Sequence, residues 1–190
     1  MRPEESLLYH IRQGDRQAQR ELYGRYAGIA MAVGMRYLAN REDARDVLQD
    51  SFVKVFTSIG QFNYRGEGSL KAWITRIVAN EAVSLLRDKH HQLFVSADDA
   101  SKYYQEDLTT TSTEEEPDIG DMSPEVLTRL IGELPPGYRT VLNLFALEGM
   151  SHTEIAQRLG ITAGTSASQY LRAKQALSKK IREYRKQHEQ

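Results

Sequence analysis

Cysteine is absent from the 190 residues. That excludes disulfide bridges, thiolate metal ligands and cysteine nucleophiles. Long apolar runs are also missing. No stretch approaches the roughly 18 apolar residues a membrane-crossing helix needs, so no membrane insertion is expected. Met1-Arg-Pro-Glu-Glu5 leads into no apolar leader core, and a cytoplasmic location is the expectation. The five histidines include a single adjacent pair, His90 and His91, with no glutamate at metalloprotease spacing. No carboxylate pair falls in an apolar setting and no nucleophile elbow is present. The expectation is therefore no metal, no cofactor and no enzyme.

Hydrophobic residues at 40% and charged residues at 27% allow a folded core. The net charge of −1 hides an uneven distribution. Residues 1–95 carry 14 basic and 11 acidic side chains, net +3. Residues 96–122 carry 1 basic and 9 acidic, net −8. Residues 123–190 carry 10 basic and 6 acidic, net +4. Two basic blocks flanking an acidic strip point to ends that bind a polyanion. The strip holds Asp98, Asp99, Glu106, Asp107 and Glu114–Glu116, lacks periodicity and reads as a solvated linker.

Both blocks show helical spacing and neither shows strand alternation. The fold class expected is all-α: two small helical domains joined by a flexible acidic linker, the second containing a helix-turn-helix. In the first block, Leu7, Leu8 and Ile11 mark a short helix, and Ala18, Leu22, Tyr26, Ile29, Val33 and Tyr37 one face of a long one. Asn40 is placed to cap a third helix that buries Ala44, Leu48, Phe52, Val55 or Phe56, and Ile59. Ser69 is placed to cap a fourth, with Leu70, Trp73, Ile74, Ile77, Val78, Glu81 and Leu85 inward.

The second block opens with Ser123-Pro124, a cap followed by a first-turn proline. Leu127, Leu130, Ile131 and Leu134 line its first helix; Tyr138, Val141, Leu142 and Phe145 line the next. Ser151-His-Thr-Glu154 spells a capping box. Gly160 permits a tight turn, and a helix follows from Thr162–Thr165 through Tyr170, Leu177, Ile181 and Tyr184. This is a helix-turn-helix pattern over Ser151–Lys174 with Ile155, Leu159, Ile161 and Tyr170 as its mini-core. Its second helix offers Thr165, Ala167, Ser168, Gln169, Arg172 and Lys174 to base edges and phosphates. An ordinary helical hairpin with a solvated polar face is the alternative.

Several segments carry a family resemblance. Leu134-Pro-Pro-Gly-Tyr-Arg-Thr-Val141, Glu148-Gly-Met-Ser-His-Thr-Glu-Ile-Ala156 and Leu171-Arg-Ala-Lys174 resemble the fourth domain of bacterial RNA polymerase sigma factors of the extracytoplasmic-function (ECF) type. Ala44-Arg-Asp-Val-Leu-Gln-Asp-Ser-Phe52 is similar to the polymerase-binding helix of their second domain. Ala72-Trp-Ile-Thr-Arg-Ile-Val-Ala-Asn80 and Leu86-Arg87 are similar to their −10-reading helix. The resemblance implies sigma domain 2 at 1–95, an acidic linker at 96–122 threading the polymerase cleft, and sigma domain 4 at 123–190. It implies binding to core RNA polymerase, at the clamp helices of the largest subunit, to promoter DNA and to a masking anti-sigma factor.

On these terms Asp46, Gln49, Asp50 and Lys54 form the polymerase-facing row. Phe62 and Tyr64 on the Gly60–Gly68 loop take a flipped base of the melted strand and Arg65 holds a phosphate, although Phe62 packing back onto Trp73 is an equal alternative. Lys71, Thr75, Arg76, Asn80 and Arg87 follow as the −10 stripe, with Ser84 beside them. Thr165, Ala167, Ser168, Gln169, Arg172 and Lys174 read the −35 element, Ser168 and Gln169 sensing bases and Arg172 and Lys174 holding phosphates. The sequence departs from the family where Ala79, Ala167 and Gln169 replace residues that are commonly basic. Competing readings are a free-standing helix-turn-helix regulator and a pure interaction module. The Asp/Gln/Asp row and aromatic loop ahead of a basic helix favour the sigma reading over both.

Overall fold

A computed structural model describes residues 3–89, 117–120 and 122–188. His90, His91 and, within the acidic strip, residues 96–116 and 121 lie outside them. The described elements are helical: α1 (Pro3–Arg12), α2 (Arg16–Leu38), α3 (Arg41–Ser58), α4 (Ser69–Lys89), α5 (Pro124–Gly132), α6 (Pro136–Leu142), a π-helical turn (Asn143–Leu147), α7 (His152–Leu159) and α8 (Ala163–His188). The chain divides into two compact units, Met1–Leu85 and Leu86–Gln190.

In the first unit, α1 buries Leu7, Leu8 and Ile11. Asp15 starts α2 by accepting hydrogen bonds from the amides of Gln17 and Ala18, which satisfies donors that the first helical turn leaves open. Along α2 the buried face runs through Ala18, Leu22, Tyr26, Ala30, Val33 and Tyr37. Ala30 thus replaces the expected Ile29, which is half-buried. Asn40 caps α3 as its spacing predicts, taking the Glu42 amide at 2.9 Å. Gly34 lies against Ala44 of α3, where a Cβ built on it would stand 3.5 Å from that of Ala44, an ordinary contact. Val55 rather than Phe56 enters the core.

The inner face of α4 departs from expectation in its second half. Leu70, Ile74 and Val78 are fully buried, but the core then turns to Ala79, Ala82, Val83 and Leu86. Trp73, Ile77, Glu81 and Leu85 form a half-buried flank instead. The small side chains of Ala79 and Ala82 let the helix turn that side inward, which the search for large apolar residues does not register. Ser69 is not a cap. It lies inside α4, accepting from the Arg65 amide at 3.2 Å and donating to the Gly66 carbonyl at 2.6 Å. Its hydroxyl therefore folds the preceding loop onto the helix start. Arg12 holds the same loop from the other end, donating to the carbonyls of Phe62 at 2.6 Å and Ile59 at 3.4 Å.

The second unit closes around Leu130, Leu134, Tyr138, Leu142, Ala173, Ala176, Leu177 and Ile181. Ser123 caps α5. Arg139 is 4% exposed, and its guanidinium donates to the Gly132 and Leu134 carbonyls at 2.6 and 3.2 Å. A cation here meets the open carbonyls at the end of α5, where the helix dipole favours positive charge. Burial lowers its pKa from the ordinary arginine value, and Arg139 remains charged because that value starts so high. The π-turn inserts one extra residue per turn. It brings Asn143 and Leu144 inward and leaves Phe145, an expected core residue, half-buried. From the linker's end, Asp118 pairs with Arg185 at 2.7 Å, which draws the Asp118 carboxyl below its usual range.

One tether in the first unit responds to pH. Tyr26 donates to Glu4 at 2.6 Å, joining α1 to α2. Burial, and then the Glu4 hydrogen bond and charge, raise its pKa from 10.0 to about 12. The folded state therefore holds this proton more tightly than the unfolded state. Its stabilisation is complete below pH 10 and is lost as pH rises towards 12. Tyr26→Phe is expected to lower stability at neutral pH by about 1 kcal/mol and to flatten the decline between pH 10 and 12. Urea unfolding followed by fluorescence of Trp73, the single tryptophan of the chain, measures it.

Candidate nucleic-acid interface

The outward face of α3 is set by what its core face takes. With Ala44, Val47, Leu48, Ser51, Phe52 and Val55 buried, the opposite side presents Asp46, Gln49, Asp50, Val53 and Thr57, all exposed. The three predicted acidic and amide residues thus share one strip. Sequence reasoning missed its centre, Val53, which is 62% exposed. An apolar residue at an outward helical position was the available signal. Lys54 stands at the edge of the strip and reaches sideways to Glu81 of α4 at 2.6 Å. That pair explains the polar intruder on the α4 flank.

Phe62 lies on Trp73, ring centroids 4.7 Å apart. Of the two readings of this ring, packing onto Trp73 is the one present, and the loop backbone that carries it is pinned by Arg12. Tyr64 is half-buried and Arg65 exposed. The Phe62–Trp73 stack lines two shallow grooves. One also carries Lys54, Thr57, Asn80 and Glu81; the other carries Asn63, Arg65, Ser69 and Arg76. Lys71, Arg76, Asn80 and Arg87 are exposed, and Arg87 leans towards Asp88 at 3.5 Å. Thr75 is half-buried, its hydroxyl donating back to the Lys71 and Ala72 carbonyls at 3.0 and 3.1 Å. Ala79, where the family commonly has a basic residue, is 1% exposed and faces the core.

In the second unit the helix-turn-helix elements form as the pattern predicts. Ser151 and Glu154 close the capping box. The Ser151 amide and hydroxyl both bond the Glu154 carboxylate, at 2.8 and 2.7 Å, and hold its pKa below the usual range. Gly160 takes the left-handed conformation, φ 70°, which glycine adopts without strain. Thr162 then receives the Thr165 amide at 3.0 Å, starting α8. Ile155 and Leu159 are buried, while Ile161 and Tyr170 are half-buried at the rim. His152 stacks on Phe145 at 4.4 Å and bonds Ser166 at 3.0 Å, fixing α7 against α8.

The register of α8 corrects one predicted contact. Gln169 is 2% exposed, on the core face with Ser166 and Ala173, and its side chain does not face a groove. Successive helical residues differ by 100°, so Ala167, Ser168 and Gln169 could not all point outward. The exposed residues are Ala163, Gly164, Ala167, Ser168 and Leu171, with half-buried Gln175 continuing the strip. Thr165, Arg172 and Lys174 are half-buried on its flanks, Lys174 lying 5.3 Å from the Tyr170 ring centre. Among the described residues no cluster of histidine and carboxylate side chains is arranged to hold a metal, and no helix is long and apolar enough to cross a membrane.

Comparison with known proteins bears on the whole chain. A family model for Sigma-70 region 2 matches residues 22–92, and one for Sigma-70 region 4 matches residues 125–177. The ECF RNA polymerase sigma-E factor of Haemophilus influenzae is 30% identical over 185 residues, covering 94% of this chain and 95% of that protein. The RNA polymerase sigma-H factor of Pseudomonas aeruginosa is 27% identical over 183 residues, covering 94% and 93%. A solved structure, CnrH in complex with the cytosolic domain of CnrY, is 25% identical with a TM-score of 0.44, covering 92% of this chain and 94% of that one. With its two polar helix faces and its helix-turn-helix carried in the matched order, the chain belongs to the ECF RNA polymerase sigma factors, promoter-recognition subunits of RNA polymerase.

Proposed function

We propose that the two units divide promoter recognition as follows. The first docks on core RNA polymerase through the α3 strip Asp46, Gln49, Asp50 and Val53, and addresses the −10 element with the loop and the exposed side of α4. The second addresses the −35 element with the outward strip of α8. The chain acts as a cytoplasmic, non-catalytic binding subunit. A masking anti-sigma protein competes with polymerase for the α3 strip, where Val53 is its apolar hold.

The α3 strip is the observation that carries this reading. A free-standing regulator needs no row of carboxylates and amide around an exposed valine. Two carboxylates and an apolar centre match a partner surface that is basic and partly apolar. On the DNA side, Arg65 and Arg76 line one groove wall, and Asn80 supplies an amide across the Phe62–Trp73 ridge. Cations positioned for phosphates beside an amide for a base edge are the contact classes that DNA recognition uses. Tyr64, on the same loop, is the aromatic assigned to an unpaired base, where stacking contributes roughly 1–3 kcal/mol.

Asp50→Lys is expected to lower core-polymerase affinity at least tenfold, with stability changed by no more than about 0.5 kcal/mol, as for exposed sites. Binding measured by fluorescence anisotropy, beside thermal unfolding, separates the two effects. Unchanged affinity contradicts the α3 assignment.

On α8, Arg172→Ala is expected to weaken the holoenzyme on every −35 sequence alike, lowering the salt slope of log affinity by about one. Ser168→Ala is expected to alter which sequence is preferred. Titrations at several salt concentrations on two or more −35 duplexes check both.

A further inference from the structure

We propose that Leu171 contacts a thymine methyl group in the major groove and sets sequence preference at one position of the −35 element. The inference rests on the reading of α8 as the −35 helix and names the chemistry at its centre.

The buried residues of α8 fix the direction of its outward axis. Ser166, Gln169, Ala173, Ala176, Leu177 and Ile181 face the core, and at 100° per residue the opposite side runs through Gly164, Leu171 and Gln175. Leu171 is 43% exposed. A lone exposed leucine on an arbitrary surface is ordinary. Here it occupies the most protruding position of the second helix of a helix-turn-helix, the element that enters the groove.

Its neighbours on the strip decide what it can read. Gly164 and Ala167 are small and exposed, so the helix axis can approach the base edges with Leu171 projecting furthest. No charged side chain lies on the strip from Gly164 to Gln175. The cations Arg172 and Lys174 sit on either side of it, placed for the two phosphate walls. The face directed at the bases is thus apolar in the middle, with a hydroxyl at Ser168 and an amide at Gln175 one turn away on each side. Among the groups at a base-pair edge in the major groove, the thymine C5-methyl is the apolar one. The amide of Gln175 suits an adjacent adenine, whose N6 and N7 it can pair. A protein occupant is the weaker match: one leucine among small residues and cations is not a contiguous apolar patch, whereas flanking cations complement a polyanion.

Replacing thymine with deoxyuridine removes this methyl alone. Holoenzyme assembled from the full chain and core RNA polymerase would first select its preferred −35 duplex from a randomised pool. Each thymine of that duplex would then be replaced singly by deoxyuridine. Wild-type holoenzyme is expected to lose about fourfold in affinity at one position, the worth of burying one methyl group. Leu171→Ala and Leu171→Gln are expected to bind the thymine duplex more weakly and to be indifferent to that same replacement. The wild-type uracil series stands even if a variant folds poorly. Retained −35 preference with equal binding to every uracil duplex would overturn the proposal while leaving the −35 reading intact. Leu171 variants that keep the uracil sensitivity would overturn it too. A selection that returns no preferred −35 sequence would remove the −35 reading and this proposal with it.

Discussion

In units this small, each helix buries one stripe of side chains, and the opposite stripe is thereby fixed as the face the helix presents outward. On α3, burial of Val47, Leu48, Ser51 and Val55 leaves Val53 and its polar neighbours outward. On α8, burial of Gln169, Ala173 and Ala176 turns Leu171 to solvent. Neither outward face is an addition to the fold. A residue that moved between stripes would change stability and recognition together, because each buried apolar side chain contributes about 1.5–3 kcal/mol.

Polar tethers then set the parts the core does not reach. The Gly60–Gly68 loop is fastened by Arg12 at one end and Ser69 at the other, so its aromatic residues are presented by a held backbone. Arg139 ties the end of α5 to the start of α6 from inside the second unit. The capping box starts α7 and the His152–Ser166 bond sets it against α8. Each tether satisfies backbone or side-chain groups of the segment it holds.

Helix existence and most caps were legible in the sequence, because Asn40, Ser123 and the Ser151–Glu154 box announce themselves by residue type and spacing. The helix-turn-helix was legible for the same reason. What failed was register wherever small residues do the packing. Ala30, Ala79, Ala82, Ser166 and Ala173 fill core positions, and reading for large apolar side chains passes over them. Hence Ile29 was expected in the core, Gln169 was expected in the groove, and Val53 and Leu171 were overlooked. The π-turn displaced Phe145 in a way no local propensity marks. Ser69 and Arg12 act through contacts with the same loop, and the Arg12 contacts span about fifty residues of sequence, beyond what local spacing encodes.

The central claim is that the chain addresses the −10 and −35 elements on polymerase, an unpaired −10 base included, rather than alone on duplex DNA. Permanganate reactivity of unpaired thymines on a promoter selected by the holoenzyme tests this most directly. The account predicts reactive thymines across the −10 region with core polymerase and the chain together, and none with either component alone. Absence of reactivity with both present, alongside a stable footprint of the chain by itself on the duplex, would contradict it and identify a free-standing regulator.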